Sequence, residues 1–112
     1  AGAAAGGHLA AVVGVTNGHA DLEGTVGDFA SEASDVHAIV DFYGPTNFMT
    51  ILDQSTPHGL NVRVPALELL LGDRPENTED LAQLASPTFH VDSNDPPILK
   101  NHGEQDPQVP LR

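Results

Sequence analysis

Residues 1–15 of the chain read AGAAAGGHLAAVVGV and join a glycine-rich turn to an apolar stretch. From Ala5 to about Val15 most residues are alanine, leucine or valine, and the stretch ends at Thr-Asn-Gly, where Gly18 can serve as a helix C-cap. This pattern predicts a helix that begins directly at the turn. The role of the turn decides the fold, and three interpretations of it compete.

The first interpretation is a phosphate cradle, since exposed N–H groups at a helix start attract anions. Residues 2–7, GAAAGG, match neither G-x-G-x-x-G nor a Walker loop, which needs a Lys-Ser/Thr pair after the glycines. The second is a packing device, in which small residues let the helix lie close to a sheet. The third is a strained strand-to-helix turn of the Gly-x-Ser-x-Gly type, which projects its central residue above a sheet. In that turn Ala4 occupies the central position.

Composition excludes several classes of partner. The 112 residues carry 16 acidic and 4 basic side chains, which give a formal net charge of −12. This charge repels phosphate backbones and anionic lipid surfaces, so we expect no nucleic-acid and no membrane partner. No apolar run approaches the ~20 residues that span a bilayer. The absence of cysteine excludes disulfides and thiolate metal sites but leaves the localisation open.

Beyond the first helix the chain alternates between loops, short apolar runs and helical segments. Residues 19–35 read as an acidic, solvated loop, and residues 36–43, VHAIVDFY, predict a buried strand that ends at Gly-Pro. Residues 47–54, 65–71 and 76–85 predict helices, and residues 95–103, DPPILKNHG, predict a second buried strand. The length suits one domain or part of one, and the long crossover predicts parallel pairing in an α/β fold.

Asp106 lies in a loop just after the second predicted strand. A carboxylate at such a position can orient a histidine, fix its tautomer and stabilise the imidazolium that forms when a serine loses its proton. Taken alone, Asp106 is an ordinary turn residue, because Asp-Pro commonly initiates turns. Its place after Ala4, however, follows the chain order nucleophile then acid, with room between them for a helix, a strand and an inserted region.

Several motifs together resemble one family. Residues 2–10, GAAAGGHLA, resemble the G-x-S-A-G-G-H-L-A elbow of α/β-hydrolase esterases of the bacterial feruloyl esterase-like group, close to the hormone-sensitive-lipase-like carboxylesterases. The resemblance continues through DFYGPTNF at 41–48, LLLG at 69–72, ASP at 85–87, DPP at 95–97 and the acid loop HGEQDPQVP at 102–110. It implies that residues 1–112 are a fragment of a single α/β-hydrolase domain, from nucleophile elbow to acid loop, with 46–91 as a helical cap-side insertion.

The resemblance also implies an activity and a set of site residues. The family hydrolyses carboxylic esters, often acetyl or feruloyl groups linked to carbohydrate, through a serine, an aspartate and a histidine, without a metal or organic cofactor. Carried over by position, the site comprises Ala4 (nucleophile position), Asp106 (triad acid), the N–H of Ala5 (oxyanion hole), and Gly2, Gly6 and Gly7 (elbow). His8 is expected to be structural. Tyr43, Phe48 and Met49 are candidate pocket-wall residues, although aromatic residues after a buried strand more often belong to the core.

The chain departs from the family pattern at the chemistry itself. Ala4 has no hydroxyl, and none of the six histidines follows Asp106, where the catalytic histidine belongs. The motif that supplies the other oxyanion donors lies upstream of the elbow in this family, and only two clear strands are predicted. We therefore expect the chain to be inactive as written. We also expect missing segments or a complementing chain to supply the catalytic histidine and the oxyanion loop.

A metal-binding module is a rival interpretation, because the chain has six histidines and sixteen carboxylates. The histidines are scattered without an H-x3-H or H-E-x-x-H pair, and a turn after His102 breaks the alternation of His102, Glu104 and Asp106. Residues 21–35 lack the D-x-D-x-D-G spacing of a calcium loop. The sequence therefore predicts no metal site.

A second hypothesis is a non-catalytic relative, a ligand-binding or scaffold protein that kept the pocket and lost the serine. The sequence leaves open whether Ala4 is natural or engineered, since both origins give the same elbow. Lys100 and Asn101 also stand out, because a central parallel strand is usually continuously apolar. Two explanations for them remain open at this point: the strand frays at its end, or the sequence has drifted.

Overall fold

The computed structural model describes residues 1–111, and its centre is a three-stranded parallel sheet. The strands β1 (Gly2–Ala3), β2 (Ile39–Phe42) and β3 (Ile98–Asn101) lie in the order β1-β2-β3. The predicted parallel pairing is confirmed. The prediction of only two strands was wrong, because the two residues of β1 are too few to show the alternation that identifies a strand in a sequence.

The helices connect these strands and cover part of the sheet. They are α1 (Ala5–Val15), α2 (Ala20–Glu23), α3 (Ile51–Gln54), α4 (Pro57–Leu71) and α5 (Glu79–Leu84), with 3-10 turns at Pro75–Asn77 and Pro87–Phe89. The predicted bounds of α1 are confirmed, but its C-cap is Thr16 and not the predicted Gly18, whose N–H bonds Oε1 of Glu23 instead. Helix α2 forms inside the stretch predicted as loop, and α3 and α5 are shorter than predicted. In the described part of the chain, none of the helices combines the length and the apolarity needed to cross a membrane.

Helix α4 begins at Pro57 rather than at residue 65. Thr56 caps its first turn, since its side-chain oxygen accepts the N–H of Gly59 at 3.1 Å. Pro65 lies inside the helix, although a proline in a sequence usually signals a helix start or a break. At the other end Gly72 adopts φ 85 and donates its N–H to the carbonyl of Glu68, so the predicted glycine cap is confirmed.

The sheet and the helical segment each have apolar packing of their own. Helix α1 lies so close to β2 that a Cβ added to Gly14 would fall 2.1 Å from Cδ1 of Ile39. The helical segment buries a cluster made of Phe48, Ile51, Leu67, Leu71 and Ala82. The sheet and α1 are therefore stabilised by close packing at a glycine, and the helical segment is stabilised by burial of its apolar side chains.

Both predicted strands are shorter than the stretches 36–43 and 95–103, and only β2 is buried. All four residues of β3 are exposed, with Leu99 at 64%. The prediction of a buried second strand was therefore wrong. β3 is exposed because it forms an edge of the sheet among residues 1–111. At an edge, an apolar sequence does not by itself bury the side chains.

Candidate active site

The turn between β1 and α1 holds a strained residue. Ala4 adopts φ 51 and ψ −119, outside the usual regions for a residue with a Cβ, at a cost of about 1–3 kcal/mol. Its N–H donates to the carbonyl of Phe42 at 2.9 Å, and its own carbonyl accepts the N–H of His8 at 3.0 Å. The strand below and the helix above thus fix a conformation that alanine does not favour by itself.

The glycines around this turn differ in what they permit. A Cβ on Gly2 would fall 2.0 Å from the carbonyl oxygen of Gly6, and a Cβ on Gly7 would fall 2.4 Å from Oδ1 of Asp41. Both positions therefore need glycine. A Cβ on Gly6 would meet no atom within 4 Å in the described residues, so that position carries no steric requirement there.

Helix α1 presents its free amide end beside Ala4. Ala5 is the first residue of the helix, so its N–H has no acceptor within the helix and points out of its N-terminus. That is the geometry of a donor for an oxyanion at the neighbouring residue. His8, one turn further on, instead bonds the carbonyl of Ala85 through Nε2 at 2.6 Å, and its ring lies 4.9 Å from that of Phe48. These contacts agree with a structural His8.

Asp106 is fixed by its own loop. Its Oδ1 accepts the backbone N–H groups of Gln108 and Val109, each at 2.9 Å. Its Oδ2 lies 3.6 Å from Nε2 of His102, a ring nitrogen that is 2.6 Å from the carbonyl oxygen of Val109. Oδ1 is thus saturated by the loop, and Oδ2 is the oxygen left to accept a further donor.

The charge state of Asp106 follows from these contacts. Burial opposes its ionisation, but the donors at Val109 and Gln108 and the positive charges that His102 and Arg63 can carry outweigh burial. The pKa of Asp106 is consequently lowered from its usual value. The carboxylate is ionised at neutral pH and suited to accept a hydrogen bond from an imidazole.

Helix α4 holds the acid loop in place. Thr56 donates its hydroxyl to the carbonyl of Pro107 at 3.0 Å, and a Cβ on Gly59 would fall 2.6 Å from the same oxygen. Arg63 donates from Nη2 to the carbonyl of Gln108 at 2.9 Å. Burial lowers the pKa of Arg63, an effect that the charge of Asp106 opposes. Sequence reasoning missed these three residues, and the one available signal was that Arg63 is among only four basic residues.

The sheet register brings the elbow and the acid loop to one edge. Ala3 pairs with Phe42, which pairs with Asn101, so the carboxyl ends of the three strands lie abreast. Ala4 follows the first of these ends and the acid loop follows the third. In open α/β sheets this edge is where ligands bind.

The three predicted pocket-wall residues differ in their burial. Phe48 is only 2% exposed and belongs to the core, with Met49 packed against that core. The burial of Phe48 favours the core alternative that the sequence offered, because the chain turns inward after Gly44-Pro45, and the pocket-wall role of Phe48 and Met49 stays a prediction. Tyr43 alone lies at the carboxyl edge of the sheet with an exposed side chain, at 44%.

A metal centre is not indicated by the side-chain arrangement. Within residues 1–111, no three histidine or carboxylate side chains converge as a metal-ligand group. His102 and Asp106 contact each other, but both are committed to the acid loop itself.

Comparisons with known proteins agree on one relationship. The chain resembles a bifunctional GH43-CE protein of Bacteroides eggerthii, with 36% identity, a TM-score of 0.79, and coverage of 97% of this chain and 15% of that one. It also resembles a truncated form of a carbohydrate esterase from gut microbiota, with 35% identity, a TM-score of 0.76, and coverage of 96% of this chain and 40% of that one. A search of curated proteins gave no significant match.

The chain therefore spans less than half the length of either structure that it resembles. The family model that matches is BD-FAE, and the match extends over residues 1–112. The sequence motifs, the strained turn at Ala4 and this full-length match lead to one conclusion. The chain belongs to the BD-FAE family of feruloyl esterase-like, hormone-sensitive-lipase-like proteins.

Proposed function

We propose that residues 1–112 form the part of an α/β-hydrolase esterase domain that runs from nucleophile elbow to acid loop. The observation that carries this proposal is the backbone of Ala4, with φ 51 and ψ −119 between a strand and a helix. A strained strand-to-helix turn lifts the side chain of its central residue above the sheet, where a nucleophile can reach a carbonyl. Membership of the BD-FAE family and likeness to a carbohydrate esterase support the same activity.

The proposed substrates are carboxylic esters with acetyl, feruloyl or other small acyl groups, including carbohydrate-linked ones. A serine in place of Ala4 would attack the ester carbonyl while a histidine removes its proton, and Oδ2 of Asp106 would orient that histidine. The N–H of Ala5 would donate to the resulting oxyanion. A further segment or a complementing chain would supply the histidine and the other oxyanion donors.

Residues 46–91 are proposed to be the cap-side insertion of the domain. They contain α3, α4 and α5. Two hydrogen bonds connect them to the rest of the chain, one between His8 and the carbonyl of Ala85 and one from Arg63 to the carbonyl of Gln108. This segment therefore spans from the elbow helix to the acid loop. Tyr43, at the edge between them, is the proposed wall residue.

This copy is proposed to bind esters without hydrolysing them. The methyl group of Ala4 cannot attack a carbonyl, whereas the elbow backbone, the Ala5 donor and the Asp106 loop are all formed. The same observation favours the second candidate function, a non-catalytic ligand-binding or scaffold protein. The two candidates differ in what a serine at this position would do.

The first test restores the nucleophile by Ala4→Ser in the intact natural polypeptide that contains this chain. We expect hydrolysis of p-nitrophenyl acetate and of an acetylated xylo-oligosaccharide, at least a hundredfold above the protein with Ala4, because only the hydroxyl is missing from the elbow. Initial rates at pH 7.5, read by absorbance and by released acetate, measure this. Adding Asp106→Asn should return the rate to near that of the Ala4 protein.

The matched control is Glu104→Gln, which removes one carboxylate from the same loop but leaves the hydrogen bonds of Asp106 intact. Its rate in the Ala4→Ser background should stay within twofold. A folded Ala4→Ser protein without turnover, which still binds the oligosaccharide by calorimetry, would contradict the esterase proposal and favour the ligand-binding function.

A further inference from the structure

An ion pair between buried Asp41 of β2 and partly exposed Lys100 of β3 lies beside the elbow. Asp41 is 1% exposed, and its Oδ2 accepts a hydrogen bond from Nζ of Lys100 at 2.8 Å. The two residues are direct partners in the parallel register. This contact explains the polar residue that interrupts the apolar run of β3, because Lys100 neutralises a carboxylate that would otherwise be buried alone. Neither fraying nor drift is needed to account for Lys100.

The pair is also bonded to the turn that follows β2. The N–H of Gly44 donates to Oδ1 of Asp41 at 2.8 Å, and Nζ of Lys100 donates to the carbonyl of Gly44 at 2.9 Å. The backbone N–H and the backbone C=O of Gly44 are thus both hydrogen-bonded to the two charged side chains. The pair defines where the backbone of Gly44 lies.

This turn contains the second strained residue of the sheet edge. Tyr43 has φ 49, a value that is rare for a bulky side chain and persists only where surrounding contacts impose it. Its N–H donates to the carbonyl of Asn101 at 2.8 Å, and the next residue is fixed by Asp41 and Lys100. These bonds on either side hold the ring of Tyr43 at the exposed carboxyl edge.

The same turn packs directly against the start of α1. A Cβ on Gly44 would fall 2.5 Å from the backbone nitrogen of His8 and 2.6 Å from the carbonyl carbon of Gly7. A Cβ on Gly7 would fall 2.4 Å from Oδ1 of Asp41. Any movement of the Asp41 carboxylate or of the Gly44 backbone is therefore transmitted to the first turn of the elbow helix.

We propose that the Asp41–Lys100 pair is a positioning device, which sets the distance between the nucleophile position at Ala4 and the ring of Tyr43. Ion pairs contribute little net stability, both at the surface and when buried, so stability alone does not account for charges here. The inference rests on the proposed function for its catalytic readout, but the position of Tyr43 can be measured without any activity. Asp41 and Lys100 are positioning residues, because neither contacts the reacting atoms.

The decisive variant replaces both charges by leucine, Asp41→Leu with Lys100→Leu, in the Ala4→Ser protein. Such a change keeps apolar volume at both positions, yet it removes the two hydrogen bonds that hold Gly44 and the bond between Asp41 and Lys100. We expect kcat for p-nitrophenyl acetate to fall at least tenfold with KM within twofold. The matched control is Arg74→Met with Glu76→Gln, which removes an exposed ion pair of the same 2.8 Å length and should leave both constants unchanged.

A spectroscopic measurement tests the same device without turnover. Tyr43 is the single tyrosine of the chain, and in 3-fluorotyrosine-labelled protein its ¹⁹F resonance is assigned as the line that Tyr43→Phe removes. We expect the Tyr43 line to be narrow in the parent and in the Arg74/Glu76 control, and shifted or broadened in the leucine double variant. If the double variant loses its near-UV circular dichroism, the isosteric Asp41→Asn is measured instead, with the same expectation.

The outcomes separate this inference from the proposed function. An unchanged ¹⁹F line together with an unchanged kcat in the folded leucine variant would overturn the positioning role. An Ala4→Ser protein without hydrolysis would overturn the proposed function, and the ¹⁹F line would then decide the positioning role by itself. In that case, a Tyr43 line that is the same in the leucine double variant and in its parent overturns the positioning role. A line that is shifted or broadened in the double variant supports it.

Discussion

At the scale of single residues, the elbow depends on glycines whose necessity differs with position. Gly7 lies where a Cβ would meet Oδ1 of Asp41 at 2.4 Å and the carbonyl of Phe42 at 3.1 Å. Asp41 is buried and bonded, so it cannot move aside easily. Gly6 faces open space in the described residues. Two glycines that are adjacent in the sequence therefore have opposite tolerance for a methyl group.

We expect Gly7→Ala to lower the free energy of unfolding by about 2 kcal/mol, since it forces overpacking against a fixed carboxylate. Gly6→Ala should leave that free energy unchanged or raise it by up to about 1 kcal/mol, because alanine is the better helix former. Urea unfolding followed by circular dichroism, on the intact natural polypeptide, measures both. Equal destabilisation by the two substitutions would contradict the predicted difference.

The sequence predicted the strained turn at Ala4 but not the ion pair below it. Ala4 and Gly2 stand in a short local motif, and local motifs specify backbone geometry. Asp41 and Lys100 are 59 positions apart, and their contact exists only because the parallel register places them opposite each other. A register is not visible in a single sequence, so Lys100 looked like an interruption of the strand rather than a partner.

At the scale of elements, the acid loop combines a titrating group with a fixed backbone. The lowered pKa of Asp106 means that its ionised form is stabilised by folding, despite the burial that opposes ionisation. That stability is present above the pKa of the unfolded chain, near 3.9. It is lost as the pH falls through the lower pKa of the folded state.

We therefore expect Asp106→Asn to lower the free energy of unfolding at pH 7 by about 1 kcal/mol, because the amide oxygen accepts the loop N–H groups more weakly than a carboxylate does. The difference from the parent should shrink below about pH 4 and vanish once both states of the parent are protonated. Urea melts from pH 7 to pH 2.5 provide the test, with Glu104→Gln as the exposed control. A difference that stays constant over this range would show that Asp106 carries no pKa shift.

Element boundaries followed the sequence where local signals agreed. Helix α1 begins and ends as predicted because its glycine turn and the length of its apolar run point to the same bounds, although Thr16 rather than Gly18 is its C-cap. Helix α4 was predicted too short because Pro65 was interpreted as a start, although Thr56 had already capped the helix. The hydrogen bond from Arg63 of α4 to the carbonyl of Gln108 joins residues 45 positions apart. Local sequence patterns do not predict a contact over that separation.

At the scale of the whole molecule, apolar side chains remain exposed on one side of α1. Leu9 is 60% and Val13 42% exposed, and both line an open cleft of about 330 Å³ with Val36 and Ala38. Contiguous exposed apolar surface binds hydrophobic probes and promotes association. The net charge of −12 opposes association through repulsion between copies, which salt screens.

We expect the 112-residue chain, prepared alone, to bind the dye ANS and to self-associate more strongly at 0.5 M than at 0.05 M salt, because screening removes the repulsion and leaves the apolar cleft. Leu9→Gln with Val13→Thr should at least halve the ANS fluorescence and lower the mass measured by light scattering. Val26→Thr is the matched control, since Val26 is 97% exposed in a loop outside this cleft. If Val26→Thr lowered association as much as the double substitution, the α1 cleft would not be the surface responsible.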